Sequence, residues 1–122
     1  MSRLFIVFFL FLFSCCDCVK QNQLPGKYFH NQGVDEFSDS IEILPDNTYV
    51  HKYQHAGGKK YKSAGKWSFN VCQITFEDFI FYNREGGDGK GGLWISRVED
   101  AGDGEIRLNY AREHGIYYEK VH

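Results

Sequence analysis

The feature that most constrains the fold is a series of short segments beyond residue 25 in which apolar and polar residues alternate. Ile41 and Ile43 flank Glu42, and residues 48–55 alternate in the same way. Successive side chains of a β-strand point to opposite faces, so a period of two residues predicts strands with one buried face. No segment has the sustained 3.6-residue period of an amphipathic helix. The sequence therefore predicts an all-β fold.

Turn-forming residues divide this region into about eight segments. Pro45-Asp46-Asn47 and Gly57-Gly58 are typical turn sequences. The expected strands are 26–30, 40–44, 48–55, 61–69, 74–82, 93–98, 105–110 and 116–121. We expect one antiparallel up-and-down barrel, with an open-barrel roll or a sandwich as the structural alternative.

The expected strand 74–82 contains one irregularity. Ile74 and Phe76 share one face, but Phe79 and Phe81 share the other. A β-bulge at the acidic pair between Phe76 and Phe79 would return the later rings to the inside. We prefer this bulge to a strand buried on both faces, because closing a small barrel requires such corners.

The N-terminal segment has a different pattern. Arg3 precedes an uninterrupted apolar run from Leu4 to Phe13. As a helix this run is about 15 Å long, whereas about 20 residues are needed to span a bilayer. The segment is therefore typical of the apolar region of a secretory signal peptide.

The run ends in Leu12-Phe13-Ser14-Cys15, which resembles the lipobox of bacterial lipoproteins. The resemblance implies cleavage after Ser14 and lipidation of Cys15, with palmitate among the expected acyl chains. It also implies a location in the bacterial cell envelope, anchored to a membrane and either periplasmic or surface-facing. The expected organisation is a signal peptide at 1–14, a lipidated N-terminus and tether at 15–24, and a barrel domain at 25–122.

The other cysteines give weaker indications. Adjacent cysteines lack the usual zinc-ligand spacing, and lipidation would consume Cys15. A disulfide from Cys72 to Cys16 or Cys18 is compatible with an oxidising compartment. The sequence nevertheless favours a Cys72 that lies in the core or in a turn without such a bond.

Short motifs in the barrel region carry a second resemblance. Gly26-Lys27-Tyr28, Asp46-Asn47-Thr48-Tyr49 and Gly65-Lys66-Trp67 follow one another in the order found in small bacterial lipocalin-like lipoprotein domains, which this region is similar to. The resemblance covers roughly Leu24 to Val121 and implies a lipocalin-like barrel. It transfers no ligand-binding residue to this chain.

Candidate binding residues come from the aromatic faces of the expected strands. Rings with polar tips suit the lining of a small pocket, and the candidates are Tyr49, His51, Tyr53 and Trp67. A packed aromatic ladder is the simpler interpretation of the first three. His51 and His55 lie four strand rises apart, about 13 Å, which is too far for one metal ion. No metal site and no cofactor are predicted.

The charged residues do not indicate catalysis or nucleic-acid binding. The chain has a net charge of −2, without the basic face that a nucleic-acid partner requires. Asp35, Glu36 and Asp39 are expected as solvated charges in a loop, and residues 83–92 as a flexible glycine-rich connection. No serine lies in a nucleophile elbow. We expect a non-catalytic envelope lipoprotein whose domain binds a small apolar or amphipathic ligand or merely presents a surface. The alternative is a protein-interaction module, an inhibitor or assembly factor, acting through its loops; a hydrolase is a weaker third hypothesis.

Overall fold

The computed structural model describes residues 18–33, 36–83, 86–87, 90–102 and 104–121. The predicted signal segment and the predicted lipidation site, Cys15, lie outside these residues. The described residues form ten strands and two short 3-10 turns, at Gln21–Gln23 and Arg112–His114. The strands are β1 (Gly26–His30), β2 (Phe37–Ile43), β3 (Thr48–His55), β4 (Lys60–Asn70), β5 (Gln73–Phe79), β6 (Tyr82–Asn83), β7 (Gly86–Gly87), β8 (Gly92–Gly102), β9 (Glu105–Ala111) and β10 (Ile116–Lys120).

Eight of these strands close into an antiparallel up-and-down barrel, and β6 and β7 form a separate small hairpin. Each barrel strand pairs with its neighbours along the chain, and β1 pairs with β10 to complete the closure. The predicted all-β barrel is therefore confirmed. Closure leaves no unpaired edge strand, which an open roll or sandwich would have exposed.

Five of the eight predicted strands agree with the structure to within one residue at both ends, but β8 continues to Gly102, beyond its predicted end at Val98. β1 and β3 begin and end where predicted, whereas β2 begins earlier, at Phe37. The predicted bulge is confirmed, since the register of β5 and β8 shifts between Phe76 and Phe79, and Asp78 has a φ of 54°. The predicted extension of the fifth strand to Tyr82 is wrong, because β5 ends at Phe79 and Tyr82 belongs to β6.

The two ends of the barrel differ. Connections between antiparallel strands alternate between the ends. The β2–β3, β4–β5 and β8–β9 turns and the segment before β1 lie at one end, which we call the N-terminal end. The remaining connections lie at the other, which we call the mouth end. Large apolar side chains such as Leu24, Ile43 and Ile74 are almost fully buried and fill the barrel from the N-terminal end.

The segment before β1 is attached to the barrel. Cys18 forms a disulfide with Cys72 in the β4–β5 turn. Leu24 is part of the core, and the Tyr28 hydroxyl donates a hydrogen bond of 2.7 Å to its carbonyl oxygen. The expectation of an unbridged Cys72 is wrong, and the described part of the predicted tether, from Cys18 onward, is fixed to the N-terminal end. No helix in the described ranges is both long enough and apolar enough to cross a bilayer.

Candidate ligand-binding cavity

A cavity of about 150 Å³ occupies the mouth end of the barrel. Every residue that lines it, except one aspartate, carries an aromatic ring. The lining residues are His30, Phe37, Asp39, His51, Tyr53, Phe79, Phe81, Tyr82, Tyr110 and Tyr118. In the part of the chain that the structure describes, no lysine and no arginine line the cavity.

Strand alternation and register bring the lining residues together. Phe37 and Asp39 are on β2 and point inward, as do Ile41 and Ile43 further along the same strand. Asp39 is paired with Tyr53 of β3 across the sheet. The cavity lies where the inward-facing residues of β2 change from aliphatic to polar and aromatic.

Asp39 is the centre of a buried hydrogen-bonded group. Its Oδ1 lies 2.7 Å from Nε2 of His51, and its Oδ2 accepts a hydrogen bond of 2.7 Å from the Tyr118 hydroxyl. A carboxylate can only accept, so the first contact places a proton on Nε2 of His51. Burial, together with the nearby charge of Asp39, holds the pKa of Tyr118 well above its ordinary value. Tyr118 therefore remains a donor to Asp39.

The prediction that Asp39 is a solvated loop charge is wrong. Asp39 lies within β2 and is only 8% exposed. Buried carboxylates are stabilised by hydrogen-bond donors, which His51 and Tyr118 supply here. The signal was present in the sequence, because extending the alternation of Ile41 and Ile43 back by one step places Asp39 on the same inner face.

His51 retains one unused polar atom. Its side chain is 1% exposed and stacks on Phe79, with ring centroids 4.6 Å apart. Nδ1 has no hydrogen-bond partner among the described residues. Since Nε2 carries the proton, Nδ1 of the neutral ring is an acceptor. An unsatisfied buried acceptor costs about 1–3 kcal/mol, which a ligand with an N–H or O–H donor can recover.

The β6–β7 hairpin lies against the mouth of the cavity. The Tyr82 ring stacks on Tyr53 and on Tyr61, with centroids 5.5 Å apart in both pairs. Gly86 has a φ of 117°, and a Cβ there would lie 3.0 Å from the Tyr61 hydroxyl. Glycine allows the hairpin to approach this closely. The segment 83–92, predicted as a flexible glycine-rich connection, contains the end of β6 and all of β7, which pair and lie beside Tyr82; residues 84, 85, 88 and 89 of that segment lie outside the described residues.

The structure brings together two of the four predicted ligand-binding residues. His51 and Tyr53 line the cavity. Tyr49 is fully buried below it, and its hydroxyl donates to the Glu77 carbonyl oxygen at 2.6 Å. Trp67 lies nearer the N-terminal end, where its indole nitrogen donates to a main-chain carbonyl oxygen at 3.0 Å.

The described lining residues provide hydrogen-bond acceptors and aromatic rings, and no lysine or arginine side chain. Burial lowers the pKa of His30, an effect that the negative charge of Asp39 only partly offsets. Within the described residues, no three His, Cys, Asp or Glu side chains are grouped so that they could hold a metal ion. Comparison with protein-family models, curated proteins and solved structures gave no match. The arrangement is suited to holding a small molecule that donates hydrogen bonds.

Proposed function

We propose that this protein is a lipid-anchored lipoprotein of the bacterial cell envelope, with a lipocalin-like barrel that binds a small ligand without chemical conversion. The observation that carries the proposal is the aromatic cavity around Asp39. Its volume of about 150 Å³ is similar to that of an apolar protein cavity that accommodates benzene. Drug-sized ligands need about 300 Å³ or more. The ligand is therefore about the size of a single ring, and smaller than a lipid chain.

The composition of the lining supports binding rather than nucleophilic catalysis. Its described residues include no serine, threonine, cysteine or lysine that a base could activate. The one carboxylate, Asp39, accepts hydrogen bonds from His51 and Tyr118. These contacts fix the lining groups in place and so reduce the entropy lost on binding.

The disulfide supports export and the lipid anchor. Bonds such as Cys18–Cys72 form and persist in oxidising compartments, which include the periplasm and the cell surface. Cys18 follows Cys15 by three residues, a distance of about 10 Å at most. A lipid on Cys15 would therefore hold the N-terminal end of the barrel near the membrane, with the cavity facing away from it.

Native mass spectrometry of the protein extracted from its source membranes tests both parts of the proposal. We expect a chain that begins at Cys15 and carries acyl chains, together with a small bound molecule. Phe37→Trp should displace this molecule by filling the cavity. Phe29→Trp is the matched control, because Phe29 lies on the outer face of β1 and is 42% exposed.

The two parts have separate contrary outcomes. An unlipidated N-terminus that begins beyond Cys15 would overturn the anchor. If the wild type carries no small molecule and binds neither phenol nor benzyl alcohol, the cavity does not have the proposed function.

A further inference from the structure

The cavity has the electrostatic character of a site for positive charge. Among the described residues, Asp39 is the only acidic side chain in the lining, and no Lys or Arg accompanies it. The remaining lining residues carry aromatic rings, whose faces are electron-rich and attract cations. An anionic ligand would meet a carboxylate without any compensating cation, which disfavours it strongly in a buried site.

The contacts of Asp39 hold its charge in place without adding a second full charge. The Tyr118 hydroxyl is a neutral donor at 2.7 Å, and His51 donates through Nε2 at 2.7 Å. A ring that donates through Nε2 and keeps a lone pair on the unpartnered Nδ1 is a neutral donor as well. The group as a whole is then left with one negative charge at the base of an aromatic cavity.

His51 adds a hydrogen-bond acceptor to the cavity. Its Nδ1 is a buried acceptor without a partner among the described residues, and its ring lines the cavity. Acceptors of this kind match the N–H groups of a protonated amine or a hydroxyl group next to a quaternary nitrogen. A purely apolar ligand would leave this atom unsatisfied.

From these observations we infer that the cavity binds a small organic ammonium ion, held by cation–π contacts and by the negative charge of Asp39. The inference rests on the proposed function, since it assigns a ligand class to the same cavity. Aromatic rings around a buried carboxylate are a known means of recognising alkylated ammonium groups. The volume of about 150 Å³ limits the ligand to a compact head group such as that of choline.

Binding of two probes of matched shape and different charge tests the inference. The probes are choline and its neutral analogue 3,3-dimethyl-1-butanol, in which a carbon atom replaces the ammonium nitrogen. Each probe is titrated into the wild-type protein, and its affinity is measured by calorimetry or by NMR. We expect choline to bind at least about tenfold more tightly than the neutral analogue, which corresponds to about 1.4 kcal/mol, because cation–π contacts are strengthened in desolvated sites.

Two pairs of variants test which residues cause the preference for choline over the neutral alcohol. Asp39→Asn should remove the advantage of choline over dimethylbutanol, whereas Glu42→Gln on the same strand should retain it. Glu42 has the same charge but alternates to the other face of β2, so this control matches the change in net charge. Tyr82→Leu should weaken choline binding more than alcohol binding, and Tyr117→Leu, outside the cavity lining, should not.

The outcomes separate the inference from the proposed function. Equal affinity of the two probes for the wild type would overturn the ammonium ligand while leaving a cavity that binds small molecules. Binding of neither probe would overturn the inference, and the phenol and benzyl alcohol measurements then decide the proposed function. The comparison on the wild type holds even if Asp39→Asn fails to fold.

Discussion

At the scale of single residues, His30 links the cavity to pH. Its Nδ1 accepts a hydrogen bond of 3.1 Å from the main-chain nitrogen of Gln32, and its ring makes edge contacts with Phe37 and Tyr118. Burial lowers its pKa from the ordinary value of 6.5, and Asp39 offsets part of that effect. Protonation would place a hydrogen on Nδ1 and break the bond to Gln32.

This environment predicts a loss of stability in mild acid. The unfolded chain binds the proton at a higher pH than the folded chain does. The stabilising contribution of neutral His30 to the free energy of unfolding is therefore fully present above about pH 6.5, and it decreases as the pH falls through the lower folded pKa. Urea denaturation at about pH 7.5 and about pH 5 should show a smaller decrease in the free energy of unfolding for His30→Gln than for the wild type. His114→Gln, at an exposed position, should retain the wild-type decrease. An equal decrease in all three proteins would contradict the assignment to His30.

Replacing Val71 is expected to raise the stability of the fold. It has a φ of 39° in the two-residue β4–β5 turn, a conformation in which β-branched residues are outliers. Its side chain is 80% exposed and so contributes little packing. Val71→Asn should raise the free energy of unfolding in urea by about 1 kcal/mol, because Asn tolerates the left-handed region. Val71→Ala should give a smaller gain. A Val71→Asn protein no more stable than the wild type would show that the turn is unstrained.

At the scale of elements, local alternation accounts for most of what the sequence predicts. The bounds of β1 and β3 and the bulge in β5 follow from the order of apolar and polar residues alone. The site depends on contacts between distant parts of the chain. Asp39 and Tyr118 are 79 residues apart, and they meet only because β1 pairs with both β2 and β10.

The buried position of Asp39 is difficult to predict from the sequence for the same reason, because its charge favours a solvated site. A carboxylate between two serines reads as a loop residue until its donors are known, and the donors lie on β3 and β10. Likewise, Cys18 and Cys72 are separated by 54 residues, and only the folded barrel brings them together. Periodicity predicts which face a side chain occupies, whereas partner identity depends on closure of the barrel.

Because of the disulfide, we expect the stability of the fold and the protection of the N-terminal segment to depend on oxidation of the two cysteines. Closing a loop between residues 54 positions apart stabilises the folded state by about 4 kcal/mol in the chain-entropy model. Reduction should therefore lower the free energy of unfolding by about 2–4 kcal/mol and expose residues 18–24 to proteolysis before the barrel. The double variant Cys18→Ser/Cys72→Ser is the control, since reducing agent should change nothing further. Unchanged urea midpoints after complete reduction would contradict this account.

At the scale of the whole molecule, the up-and-down topology places the attachment of the N-terminal segment and the cavity at opposite ends of the barrel. An antiparallel barrel has its connections at two ends, and here the disulfide is at one and the cavity at the other. Apolar side chains fill the N-terminal end, and the cavity lies at the mouth end. With the proposed lipid anchor, a ligand could enter at the mouth end while the opposite end is held near the membrane.

Fluorescence quenching by brominated lipids in reconstituted vesicles measures this orientation. Asn70 and Lys60 are exposed and lie at opposite ends of β4, which at about 3.3 Å per residue makes them roughly 30 Å apart along the strand. Asn70→Trp should be quenched strongly, because Asn70 is two residues from Cys72 and hence close to the lipid expected on Cys15. Lys60→Trp should be quenched weakly, and Trp67 and Trp94 give the same background in both proteins. With Cys15→Ser added, neither reporter should be quenched. Stronger quenching of Lys60→Trp would mean that the mouth faces the membrane, and the cavity would then receive its ligand from the bilayer surface.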